Sequence, residues 1–232
     1  MKAALHETGP AAHPLFRAIL LYGNPKSSVI AVEHKIVNDH GTPRLGTARF
    51  VTNGVATGLL KLFERAPLQY VPPNVVALSH QAIAWFEPAT KRRMLFEARD
   101  DAALNALDNA EIPQPPLIFI ARSRSLSAFA LYKNERPTLD TKLAMAPYWN
   151  VNSRGDVCLG SAEIPKTINP TETDAWTKSF FGSNFTHISG SKVWAHPGTY
   201  AEMLTDAIEE DEFKTEWLRE SGRTLREAIC SN

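Results

Sequence analysis

Residues 146–161 read APYWNVNSRGDVCLGS. The polar segment 152–156 follows a short apolar run and leads to Val157 and Cys158, one of two cysteines in the chain. Gly155 permits a left-handed or otherwise strained turn, which sets Val157 and Cys158 on a surface ledge. A thiol that only fills a core needs no such approach. Thiols are good nucleophiles without strong activation, so a presented cysteine suits acyl or thioester exchange. Asn150 stands eight residues before Cys158. An amide held there can donate a hydrogen bond to the oxyanion that forms when an amine attacks a thioester at the cysteine. Spacing alone leaves a second reading open, in which Asn150 caps local backbone and Cys158 is a small apolar filler.

Upstream, residues 75–79, 82–87, 92–98, 117–121 and 126–132 are short apolar runs separated by turn residues. The connections EPATK and RSRS favour antiparallel neighbours over crossovers, and the runs form a four-stranded meander if the first two are one strand. Residues 133–169 lose periodicity and contain Pro137, Pro147 and Pro165, which predicts a long folded-back loop. Its apolar content, including Leu143, Tyr148 and Trp149, argues against disorder.

Val51, Val55, Leu59 and Leu62 recur at helical spacing and predict an amphipathic helix near residues 47–65. Gly54 and Gly58 weaken it by about 1 kcal/mol each. Before it, LFRAILLY (15–22) and SVIAVEHKIV (28–37) flank the turn signal GNPKS and predict a β-hairpin. Downstream, DAWTKSFF, TYAEMLTDAIEE, EFKTEWLRE and TLREAI predict helices, and Thr199 with Glu202 fits a capping box.

Lysine and arginine number 25, as do aspartate and glutamate, so no overall field draws the chain to nucleic acid or to a membrane surface. Arg92, Arg93, Arg122 and Arg124 make a small local basic patch at most, and the acidic run 209–212 reads as a solvated face. No apolar run reaches the roughly 18 residues of a spanning helix. The opening MKAALHETGPAAHP lacks the apolar stretch of a secretory signal, and the expected location is the cytoplasm. Two cysteines make no disulfide framework in a chain of 232 residues. His187 and His196 are nine apart, a spacing that signals no metal site, and no cofactor is expected.

The string N-V-N-S-R-G-D-V-C-L resembles the active-site segment of ubiquitin-conjugating enzymes. In that family a His-Pro-Asn tripeptide is followed eight residues after its asparagine by the catalytic cysteine, with a glycine three before the cysteine and a leucine after it. Asn150, Gly155, Cys158 and Leu159 match in register, whereas Tyr148 and Trp149 stand where the family has His-Pro. Over almost the whole chain the blocks VPPNVVA, PPLIFIA, LSAFAL, RPTLDTKL, APYWNV, VCLGS and W-x3-FF-x2-NFTH resemble the PRTRC system protein B family. That bacterial, often plasmid-associated family is grouped with prokaryotic ubiquitin-conjugating-enzyme-like proteins.

The fold this implies is α+β: a ubiquitin-conjugating-enzyme-like core at 46–232, built as helix, four-stranded antiparallel meander, active-site loop and C-terminal helices. The hairpin at 1–45 is an extension. The activity implied is to carry a ubiquitin-like protein as a thioester on Cys158 and pass it to an amine, with Asn150 as the oxyanion donor. His187 is a candidate base for the incoming amine or partner for the thiolate. The implied partners are a ThiF-type activating enzyme, a small ubiquitin-like protein and a JAB-domain metallopeptidase. The missing His-Pro motivates the alternative, an inactive module of the same fold that only binds a ubiquitin-like protein.

Overall fold

The computed structural model describes residues 17–23, 29–39, 42–63, 70–160 and 162–230. They divide into two compact units, Met1–Leu68 and Gln69–Asn232. In the first unit β1 (Arg17–Gly23) and β2 (Val29–Asp39) pair antiparallel, with Arg17 opposite Lys35 and Tyr22 opposite Ile30. The turn expected at GNPKS lies almost wholly outside the described residues. A third strand, β3 (Thr42–Phe50), completes the sheet in the order β1-β2-β3.

The expected helix starts later than its periodicity suggests, because residues 47–50 are held in β3, where Phe50 pairs with Val32. Thr52 then accepts from the Val55 amide at 3.4 Å, and α1 runs over Asn53–Phe63.

The second unit is built on six antiparallel strands. They are β4 (Val75–Leu78), β5 (Ala82–Glu87), and, after β6 (Thr90–Arg93), β7 (Leu95–Phe96), α2 (Ala102–Asn105) and β8 (Glu111–Gln114), the strands β9 (Leu117–Arg122) and β10 (Ser125–Ala130). β11 (Lys142–Met145) follows, and after α3 (Thr173–Phe181), β12 (Asn184–Phe185) and α4 (Tyr200–Glu209) comes β13 (Glu220–Thr224), with α5 (Leu225–Cys230) last. The sheet order is β13-β11-β10-β9-β5-β4.

The expected strand at 92–98 is not in this sheet. β9 is apolar from Leu117 to Ala121 and at most 2% exposed there, so it needs a central position with both faces covered. It takes the place beside β5, with Ile83 opposite Ala121. The segment between them folds aside: β6 pairs with β8, and β7 pairs parallel with β12. The expected loop 133–169 contains β11, and EFKTEWLRE is a 3-10 turn (Thr215–Trp217) followed by β13 rather than a helix. Gly222, with φ of +72°, lies inside β13, a conformation no helix interior accommodates.

One face of the sheet packs an aromatic core. Trp85 stacks on Phe119 at 5.3 Å, and Phe119 meets the edge of Phe180 at 5.1 Å. A buried polar link fastens α3 to β5: Trp85 Nε1 donates to Thr177 Oγ1 at 3.1 Å, and Thr177 donates to Glu87 at 3.0 Å. Glu87 also receives Arg92 at 2.6 Å, which removes Arg92 from any surface basic patch. The other face holds Ile118, Ile120, Phe129 and Leu143 with Leu225 and Ala228 of α5.

Candidate active site

Cys158 ends one arm of a small hairpin. Its amide donates to the Asn150 carbonyl at 2.7 Å, Val151 bridges Val157, and the Asn152 amide donates to the Asp156 carbonyl at 3.1 Å. Asn152 Oδ1 accepts from the amides of Arg154 (2.9 Å) and Asp156 (3.0 Å), which closes the turn. The eight-residue spacing therefore makes Asn150 and Cys158 cross-strand neighbours.

The returning arm is sewn into the sheet. Ala128 donates to the Gly155 carbonyl at 2.8 Å and Val157 donates to the Leu126 carbonyl at 3.0 Å, so this arm occupies the flank of β10 that β11 leaves open. Gly155 has φ of +90°, and its bare Cα rests on the ring of Phe129.

Cys158 is exposed, which excludes the filler reading. Asn150 is 7% exposed, and its Oδ1 is buried without a hydrogen-bond partner among the described residues. The capping of local backbone falls to Asn152. Cys158, Asn150 and His187 line one cleft of about 430 Å³, together with Glu97, Ser183 and Asn184. His187 is placed by the backbone: the Ser189 amide donates to the Trp149 carbonyl at 2.7 Å, and His187 Nδ1 lies 2.8 Å from Thr186 Oγ1.

Glu97 and Asn184 carried no local signal in the sequence. They meet because β7 runs parallel to β12, which puts Asn184 Nδ2 2.7 Å from Glu97 Oε2. A second cleft, about 770 Å³, adjoins the first and shares Glu97, Thr186 and His187 with it.

Tyr148 and Trp149, at the positions of His-Pro, serve packing. Tyr148 is 1% exposed, donates to Gln114 Oε1 at 2.8 Å and meets Phe180 edge-on at 5.1 Å. Burial, with a smaller contribution from Tyr200, pushes its phenol well above the ordinary range, so it stays a neutral donor. Trp149 stacks on Tyr200 at 5.7 Å, and burial likewise pushes the Tyr200 phenol up. These contacts anchor the chain immediately before Asn150.

Further polar side chains near the active-site loop and helices lie outside the cleft. Asp140 pairs with Arg226 at 3.0 Å and Asp156 with Arg154 at 3.1 Å. His196 is buried, with Nε2 donating to Asp206 at 2.9 Å and Nδ1 accepting from the Gly198 amide at 3.0 Å, a structural arrangement. In the acidic run, Glu210 pairs with Lys214 and Asp211 with Lys91. No helix among the described residues is long and apolar enough to cross a membrane.

The family model of prokaryotic E2 family D matches residues 55–220, well over half of the chain. The chain belongs to prokaryotic E2 family D. The span matched by family D begins inside α1, ends at the first residue of β13 and holds Asn150, Cys158, Glu97, Asn184 and His187. The sheet β1-β2-β3 and α5 lie outside it. The mixed α and β architecture with mostly antiparallel strands is consistent with an E2-like fold. Comparison with curated proteins and with solved structures gave no match.

Proposed function

We propose that this member of prokaryotic E2 family D is the conjugating component of a PRTRC-type system and carries a small ubiquitin-like protein as a thioester on Cys158. The observation that carries the reading is one cleft in which the exposed Cys158 thiol, the amide-bearing Asn150 and the imidazole of His187 come together. Loading is a thiol exchange. The Cys158 sulfur attacks the thioester carbonyl on a ThiF-type activating enzyme; a carbon–sulfur bond forms at Cys158 as the enzyme's own breaks, and the released thiolate takes up the proton.

In the second step an amine attacks the same carbonyl. The carbonyl oxygen becomes an oxyanion, for which the Asn150 amide is the donor, and His187 accepts the amine proton. The attack forms the carbon–nitrogen bond; collapse of the oxyanion breaks the bond to Cys158, and the proton held by His187 passes to the sulfur and returns the thiol. A JAB-domain peptidase of the same system would reverse the product.

The test is the mass of the full chain after incubation with its activating enzyme, ubiquitin-like protein and ATP. The expected result is one added ubiquitin-like protein, removed by dithiothreitol and absent or converted to a stable ester in Cys158→Ser. A charged activating enzyme that transfers nothing would overturn the proposal. The burial of Tyr148 and the stacking of Trp149 on Tyr200, where ubiquitin-conjugating enzymes have His-Pro, favour a second reading, a binding module without chemistry. On that reading Cys158→Ala leaves the biological output as well as the binding unchanged.

A further inference from the structure

Of the three residues that the Cys158 cleft shares with the larger cleft beside it, Glu97, Thr186 and His187, Glu97 is the one carboxylate. No other carboxylate among the described residues lines the Cys158 cleft. The backbone holds Glu97 from both sides. Its amide donates to the Phe185 carbonyl at 3.2 Å, and the Phe96 amide before it donates to Asp108 Oδ1 at 2.9 Å. Asn105 clasps Ala98 after it, accepting from the amide at 2.8 Å and donating to the carbonyl at 2.7 Å. Phe96 and Ala98 are buried, so alternation along the extended chain turns Glu97 outward.

The side chain is oriented as well. Asn184 Nδ2 donates to Glu97 Oε2 at 2.7 Å, which leaves Oε1 without a partner among the described residues and open to a donor. Both residues are exposed, so core packing does not account for the pair. Around the larger cleft three carboxylates, Glu97, Asp100 and Asp101, meet one guanidinium, Arg99. Asp101 caps α2, its Oδ1 accepting from the Leu104 amide at 2.9 Å. Trp149 and Ile188 give the same cleft an apolar side. Carboxylates beside apolar side chains suit a ligand with an ammonium on an aliphatic stem, because the stem lies along the apolar part while the charge meets the acid.

We propose that Glu97 selects the attacking amine: its Oε1 accepts from a primary ammonium that enters through the larger cleft with its stem along Trp149 and Ile188. This role rests on the proposed transfer from Cys158 and names the nucleophile, a cation on an apolar stem rather than a hydroxyl. A carboxylate beside an ammonium favours the charged form, so Glu97 holds the amine and does not deprotonate it. The proton passes to His187, which lines both clefts.

The test uses the full chain with Cys158→Ser. Nα-acetyl-lysine amide is titrated at constant ionic strength while backbone amide resonances and the Trp149 indole are followed. The expected result is saturable shifts at Asn184, His187 and Trp149, and none with Nα-acetyl-norleucine amide, which has the stem without the ammonium. Glu97→Gln keeps an acceptor for Asn184 and should raise the half-saturating concentration about fivefold. Asp140→Asn, outside both clefts, is expected to bind as the parent does. n-Butylammonium titrated in parallel separates the sources: tighter binding of the lysine probe assigns the cleft to a polypeptide side chain, and equal binding assigns it to a small amine. Equal shifts with the norleucine probe, shifts that never saturate, or an unchanged half-saturation in Glu97→Gln would overturn the proposal. The norleucine comparison is made with Glu97 in place, so it stays decisive should Glu97→Gln fold poorly. No thioester enters the measurement, so a chain that never loads on Cys158 still reveals the site, and failure to bind the amine leaves loading untouched.

Discussion

A methyl group added at residue 155 would stand 2.4 Å from Cζ of Phe129, and the backbone there has φ of +90°. Gly155→Ala therefore meets two costs, a clash and a conformation that side chains disfavour, which together come to about 2–4 kcal/mol. The expected outcome is a lower urea midpoint and slower thioester formation. Gly155→Ala with Phe129→Ala is expected to regain only part of the rate, since the φ cost remains. Asn150→Ala tests the oxyanion role: discharge of a preformed thioester to a free amine should slow by about 100- to 1,000-fold with loading little changed. Unchanged discharge would reduce Asn150 to a packing residue. The pairing of Asn150 with Cys158 was legible in the sequence because it is local, eight residues around a turn. Glu97 and Asn184 were not, because the parallel contact of β7 with β12 joins residues 87 apart.

Among the elements, α4 carries the clearest sequence signal and keeps it. Thr199 Oγ1 accepts from the Glu202 amide at 3.2 Å, and Glu202 reaches back to the Thr199 amide at 2.7 Å. Thr199→Ala is expected to cost about 1 kcal/mol in denaturant unfolding. The bonds from Thr199 hold the Glu202 carboxyl below its ordinary value of 4.5. A carboxyl lowered on folding stabilises above its unfolded pKa, and that contribution disappears as pH falls through the folded value. The stability gap between the parent and Glu202→Gln should thus be present at neutral pH and close in acid, as read from urea midpoints. Glu87 is a harder loss: Glu87→Ala leaves Arg92 and Thr177 without their acceptor and should cost about 3 kcal/mol. Two of the strands that the sequence hid, β11 and β13, are short and partly polar. They are strands because each pairs with a neighbour already in place, β11 on β10 and β13 on β11, which no local pattern records.

For the molecule as a whole, the open edges of the six-stranded sheet are a hazard that the chain manages locally. β4 is outermost on one side, and Arg136 covers its beginning by donating to the carbonyls of Pro73 and Val75, the latter at 2.7 Å. With a formal net charge of zero, long-range repulsion does little to keep copies apart. Arg136→Ala should raise self-association with concentration, measured by light scattering of the eluted protein; a monodisperse variant at every concentration would show that β4 needs no cover. The tryptophans offer another consequence. Of the five, Trp85, Trp176, Trp194 and Trp217 are buried, while Trp149, stacked on Tyr200 and adjacent to Asn150, is only partly buried and lines the larger cleft. Its emission will be the red-shifted and quencher-accessible part of the intrinsic fluorescence, so occupation of the groove can be timed optically without attaching a dye.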